Sequence, residues 1–174
     1  MLQKFARRTI LGLAAAALMA APAFADGIEI GAKAPNFTLK TTDGATIELA
    51  QVVKQNKLTV VNFWATWCAP CLKEMPDLDA FDAARDDVDM IGLAYEEIEP
   101  QAMRDFLKKH VVRYPIAIVD TYDPPADFPT PRGLPMSYVI APDGRIAKEF
   151  LGPVTPAALE AVVGGKAGTA KAGG

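Results

Sequence analysis

The feature that most constrains this chain is an apolar, β-branched run, Leu58-Thr59-Val60-Val61-Asn62-Phe63-Trp64, that leads four residues later into Cys68-Ala69-Pro70-Cys71. Such a run reads as a buried strand. The residues after it open a helix near Pro70, where a proline withholds no N–H that the helix needs. A strand handing over to a helix at Cys-x-x-Cys leaves both sulfurs at a helix N-terminus. One turn brings their Cβ atoms within bridging distance. The orphan N–H groups and the positive end of the helix dipole favour a thiolate over a thiol. These are the only two cysteines among 174 residues. The loop they close is too short to constrain the unfolded chain, so the pair is read as chemistry and not as a staple.

The two ends of the chain differ from its middle. Residues 1–25 have the three parts of an export signal. Lys4, Arg7 and Arg8 form a charged front, Ile10 to Ala21 is apolar, and Ala23-Phe24-Ala25 is a small-x-small cleavage pattern. The apolar part is shorter than the roughly 20 residues of a spanning helix, so cleavage after Ala25 is expected, and a retained membrane anchor is the lesser reading. Arg7-Arg8 also admits twin-arginine export. The signal holds three of the 18 basic residues and none of the 21 acidic ones, so its removal takes the formal charge from −3 to −6. An acidic domain gives no support for nucleic-acid binding. The remaining 149 residues suffice for a full core without structural disulfides. Residues 26–163 form one domain, and the Gly, Ala, Lys and Thr tail of 164–174 has nothing to bury and is expected to be disordered.

Within the domain, Asn36 to Lys40 and Thr46 to Leu49 flank the turn signal Thr42-Asp43-Gly44 and predict a hairpin. The central strand covers Leu58 to Ala65 and a helix runs from Pro70 to Arg85, with Pro76 expected to kink it. Asp89 to Tyr95 is a strand, Pro100 to Val111 a helix, and Ile116 to Val119 a short strand. Asp123 to Gly133 holds Pro124, Pro125, Pro129 and Pro131 and predicts a loop. Met136 to Ala141 and Arg145 to Leu151 flank Pro142-Asp143-Gly144 as a second hairpin, and Pro156 to Val163 is the last helix. The alternation predicts an α/β fold, a mixed sheet with helices on both faces.

Cys68, first in the motif, is the expected attacking thiol, exposed at the helix end. Cys71 is the deeper resolving thiol. Pro70 stiffens the turn. Trp67 is either a flat shoulder of the substrate surface or a core residue. The competing readings of the cysteines are an inert buried couple or half a zinc site. Structural zinc takes four ligands, and the chain offers two Cys and one His. That histidine, His110, ends a predicted helix and is read as a surface or capping residue. No metal and no cofactor beyond a redox-active Cys68–Cys71 disulfide are expected.

Val60 to Cys71, with Phe-Trp-Ala-Thr-Trp-Cys-x-Pro-Cys and Glu74-Met75-Pro76 after it, resembles the active-site strand and turn of the exported TlpA/ResA/CcmG branch of the thioredoxin superfamily. Ala34-Pro35-Asn36-Phe37-Thr38-Leu39 resembles that branch's N-terminal hairpin. Gly133-Leu134-Pro135-Met136-Ser137-Tyr138 followed by Asp143-Gly144 resembles its cis-proline loop and final hairpin, so the match covers about residues 31 to 163. The resemblance implies a thioredoxin-like fold with an added hairpin, and a cis Leu134–Pro135 bond opposite the cysteines. It also implies substrate pairing with the backbone of Leu134.

Thioredoxins carry an aspartate where this chain has Asn62, and an amide cannot take the resolving thiol's proton. The branch has a glutamate near the pair, and Glu97, with Glu96 beside it, is the matching position. The bland reading is a solvated acidic turn. The resemblance implies a periplasmic, monomeric thiol-disulfide oxidoreductase that reduces partner-protein disulfides, drawing electrons from a membrane thiol donor. Cytochrome c maturation and cytochrome oxidase copper-site assembly are the implied settings. A general exported oxidase or isomerase is the alternative, since Cys-x-x-Cys alone does not set the direction of electron flow. A peroxidase would need Thr or Ser where Ala65 stands. A copper carrier of this fold would need wider cysteine spacing and a distant histidine.

Overall fold

The computed structural model describes residues 27–167. The expected signal, residues 1–25, and the tail from 168 lie outside them. Thr38–Lys40 (β1) and Thr46–Glu48 (β2) form the antiparallel N-terminal hairpin. A short helix that sequence patterning did not reveal, Leu49–Val53 (α1), leads into Leu58–Trp64 (β3). Ala69–Ala83 (α2), Val88–Tyr95 (β4), Pro100–Leu107 (α3) and Ile116–Val119 (β5) follow in βαβαβ order. After the proline-rich stretch come Met136–Ile140 (β6), Ile146–Leu151 (β7) and Pro156–Ala167 (α4).

The main sheet has the order β5-β4-β3-β6-β7, with β3, β4 and β5 parallel and the last hairpin antiparallel. All seven residues of β3 are buried, as a strand covered on both faces requires. Its alternation splits the core in two. Leu58, Val60 and Trp64 face one cluster, and Val61 and Phe63 face the other. The steps from β3 to β4 and from β4 to β5 run the same way along the sheet, so right-handed connections put α2 and α3 on one face. Met103 of α3 accordingly shares a cluster with Leu78 of α2 and Leu159 of α4. The opposite face is covered by α1 through Leu49, by the hairpin region through Phe37, and by the proline-rich stretch through Phe128. Helices do lie on both faces, but irregular chain does most of the covering on the second.

Two helix ends differ from expectation. The helix expected to reach Val111 ends at Leu107. Lys108 to His110 turn out of it, and the exposed His110 ring stacks on Phe106 at 4.3 Å. The β-branched pair Val111-Val112 and Pro115 then steer the chain into β5. The last helix runs four residues beyond Val163 into the segment expected to be disordered. Continuing backbone hydrogen bonds there outweigh a glycine cost of about 1 kcal/mol per residue. Pro76 sits inside α2, and the helix continues through it.

Gly92 of β4 has no room for a side chain. A Cβ there would run into Ile116 Cδ1 and come within 3.1 Å of Tyr114 and 3.2 Å of Trp64 Nε1. Gly92→Val is therefore expected to lower unfolding free energy by about 1–3 kcal/mol through overpacking. Urea unfolding checks this, and an unchanged midpoint would mean that β5 yields freely.

Candidate active site

The chain leaves β3 at Trp64 and turns through Ala65, whose carbonyl accepts the N–H of Cys68 at 3.1 Å. Cys68 is extended (φ −86°, ψ 94°) and caps α2 in the manner of a serine or aspartate. Its Sγ accepts the N–H of Cys71 at 3.3 Å, and its carbonyl accepts that of Leu72 at 3.1 Å. The two cysteines are joined as a disulfide, with Cα atoms 5.3 Å apart. In the reduced protein the same N–H and the helix terminus would stabilise a thiolate on Cys68.

Cys68 does not stand out from the surface as expected. It is 4% exposed and Cys71 fully buried. Bonded to Cys71, its sulfur is folded back over the first turn of α2. Cys71 remains the deeper of the two. Trp67 is 70% exposed and belongs to the surface, while Trp64 three residues earlier fills the core. Pro70, exposed, occupies the second position of α2.

The carboxylates are arranged differently from expectation. Glu97 is exposed, and its Oε1 accepts both the N–H and the hydroxyl of Thr121, at 2.7 and 2.6 Å. It is spent on the loop after β5 and not held beside Cys71. Its neighbour Glu96 is buried and turned back under the active-site turn, accepting the Thr66 N–H at 2.6 Å and its hydroxyl at 2.8 Å. The two adjacent carboxylates are thus held by different partners, Thr66 and Thr121.

The buried carboxyl on the cysteines' own helix is Glu74, one turn beyond Cys71. Oε1 accepts from Asn62 Nδ2 at 3.1 Å, and Oε2 accepts the N–H of Val154 at 2.7 Å. Asn62 Nδ2 also donates to Ser137 Oγ at 2.9 Å. Burial pushes the Glu74 carboxyl above its ordinary range, and the two donors only partly offset this. Sequence reasoning passed over Glu74, although a signal was there. It sits with Cys71, Met75 and Leu78 on the helical stripe that faces the core.

The loop before β6 completes the site. The Leu134–Pro135 bond is cis, and Pro135 is buried with its carbonyl accepting the N–H of Gly152 at 2.9 Å. Leu134 shares an open groove of about 500 Å³ with Trp67, Tyr95, Glu96 and Glu97. The structure thus brings Trp67, Leu134 and Glu97 to one groove, with Trp67 the residue before Cys68, and places Glu74 buried one helical turn beyond Cys71.

This geometry is that of a dithiol–disulfide centre, and comparison with known proteins agrees. The Redoxin family model matches residues 29–163. The thiol-disulfide oxidoreductase ResA of Bacillus cereus is 33% identical over 141 residues, covering 76% of either chain. A thiol:disulfide interchange protein of the thioredoxin family from Chlorobium tepidum TLS superimposes with a TM-score of 0.63 at 26% identity, covering 79% of this chain and 97% of that one. A DsbF homologue from Corynebacterium diphtheriae gives 0.66 at 25% identity, over 83% and 96%. A strand-to-helix cysteine pair, a cis-proline loop and this sheet order converge with those likenesses, and the chain belongs to the Redoxin family, among its ResA-like thiol-disulfide oxidoreductases.

Proposed function

We propose that the protein works in the periplasm as a reductant of disulfides in partner proteins, through Cys68 and Cys71. The observation that carries the exchange chemistry is the Cys71 N–H aimed at Cys68 Sγ where β3 hands over to α2, and the direction of flow rests on the resemblance to the exported reductant branch. In the reduced protein, the Cys68 thiolate attacks one sulfur of the substrate disulfide. A mixed disulfide forms and the other substrate sulfur leaves as a thiolate, which takes up a proton. Cys71 gives its proton to a base and attacks Cys68. The Cys68–Cys71 disulfide reforms, and the second substrate sulfur departs. The departing thiolate takes the Cys71 proton back from the base, so two electrons have passed to the substrate, with one proton from Cys71 and one from solvent.

Glu74 is the group suited to take the Cys71 proton. It is one helical turn away, buried, and each of its oxygens retains a free lone pair. Pro70 stiffens the turn, Trp67 offers a flat apolar face beside Cys68, and Leu134 and Pro135 supply the backbone against which an extended substrate lies. Glu97 acts on the loop it holds.

The N-terminal segment supports export, with cleavage after Ala25, and the described residues contain no helix long and apolar enough to cross a membrane. A membrane thiol donor re-reduces the monomeric protein. Its substrates are oxidised partner proteins of the kind met in cytochrome c maturation or oxidase copper-site assembly.

The reduction potential tests the direction of flow. A value nearer to about −270 mV than to the about −120 mV of a strong oxidant is expected. A measurement at the oxidant end would make the protein an oxidase or isomerase instead. Trapping tests the residues: Cys71→Ser should accumulate mixed disulfides on Cys68, and a variant that captures nothing would remove Cys68 from the attacking role. Glu74 has its own signature. With its carboxyl held above the ordinary 4.5, the unfolded chain releases this proton first as pH rises. Glu74 therefore subtracts stability progressively from about pH 4.5 upward. Relative to the parent, oxidised Glu74→Gln should gain stability as pH rises above about 4.5, measured by urea unfolding. A pH-independent difference would show that Glu74 is ionised without strain.

A further inference from the structure

We propose that the proline-rich segment between β5 and β6 is a fixed wall of the groove beside the disulfide, anchored by Phe128, and that it selects an extended polypeptide disulfide over a small-molecule one. The inference rests on the reading above and names the substrate class for that site.

From Thr121 to Gly133 the chain has neither helix nor strand, yet it is held at three places. At its start, Glu97 accepts both donors of Thr121. The neighbouring turn is closed by Asp120 Oδ1, which accepts the N–H groups of Tyr122 and Asp123 at 2.8 and 3.1 Å. At its far end, Arg132 pairs with Glu149 of β7. Between them Phe128, 5% exposed, is driven into the core of the second sheet face. Its ring lies 5.4 Å from Phe37 and 5.6 Å from Tyr138, both edge-on, and 5.8 Å from Phe63. The Phe128 N–H donates to Pro125 O at 3.1 Å, and four prolines stiffen the remainder.

This anchoring reaches the groove by two routes. Thr121, Pro131 and Gly133 line it directly, together with Trp67. Tyr95 lines both the groove and the small apolar space under the loop, where it meets Pro124, Pro125 and Phe128. Trp67, which lines the groove, immediately precedes Cys68 in the chain. A preformed wall lowers the ordering cost of binding an extended chain along it. A small disulfide touches only the end at the sulfur and draws no benefit. Phe128 touches neither substrate nor cysteine, so it is a positioning residue.

The test compares reduction of insulin with reduction of hydroxyethyl disulfide by the full protein, using Phe128→Ala, Phe128→Leu and the parent. Phe128→Ala is expected to lower kcat/KM for insulin by about tenfold, mostly through KM, and to leave hydroxyethyl disulfide within about twofold. Phe128→Leu should recover part of the loss. If Phe128→Ala does not fold, Arg132→Gln releases the far end of the segment at the surface and should show the same preference more weakly. Equal losses on both substrates, or none on either, would overturn the wall while leaving the reductant reading intact. A parent protein inert towards both disulfides would overturn the reductant reading, and this inference with it.

Discussion

One backbone N–H, that of Cys71, pointing at one sulfur, that of Cys68, is the contact on which the rest depends. It exists only because a strand ends and a helix begins within four residues, in a fixed relative position. The strand is immobilised by burial on both faces. The helix is held by Cys71, Met75, Leu78 and Phe81 packing against that same strand's neighbours. Glu96 braces the intervening turn through Thr66, so the last free segment before the cysteine is also tied down. A helix N-terminus stabilises negative charge only within its first turn, and the packing serves to keep the sulfur within that range.

The second organising element is polar and buried. Glu74 joins α2 to the central strand through Asn62 and to the chain ahead of α4 through the Val154 N–H. Asn62 in turn reaches Ser137 on β6. Taking a carboxyl out of water is costly unless donors meet it, and two do. The group that raises the proton affinity near Cys71 is thus also a tie between three elements. Stability and reactivity are coupled at this point, because burial both perturbs the carboxyl and makes its hydrogen bonds necessary.

The two sheet faces divide the labour. One carries the three longer helices and the resolving cysteine. The other is closed by a short hairpin, a five-residue helix and a proline-rich segment pinned by an aromatic cluster. That second face borders the groove through Tyr95, so the packing of an irregular segment on the far side bears on the surface that a substrate meets.

Much of this was legible in the sequence because it is local. The unbroken apolar run Leu58–Trp64, the Cys-x-x-Cys after it and the Asp-Gly turns each specify backbone conformation over a few residues. They carried the order of nearly all the elements, the pairing of the two cysteines and which of them lies deeper. Helix ends at Leu107 and Ala167 were less legible, since propensity near a terminus is outweighed by what the next element requires. The choice among carboxylates could not be made from the chain alone. Glu96 and Glu97 are adjacent in sequence but bind different loops, through Thr66 and Thr121, and Glu74 becomes significant only when Asn62 and Val154, 12 and 80 positions away, meet it. Periodicity along a chain records which face is apolar. It does not record which distant donors will surround a buried charge, and that was settled by the packing of α2 against the sheet.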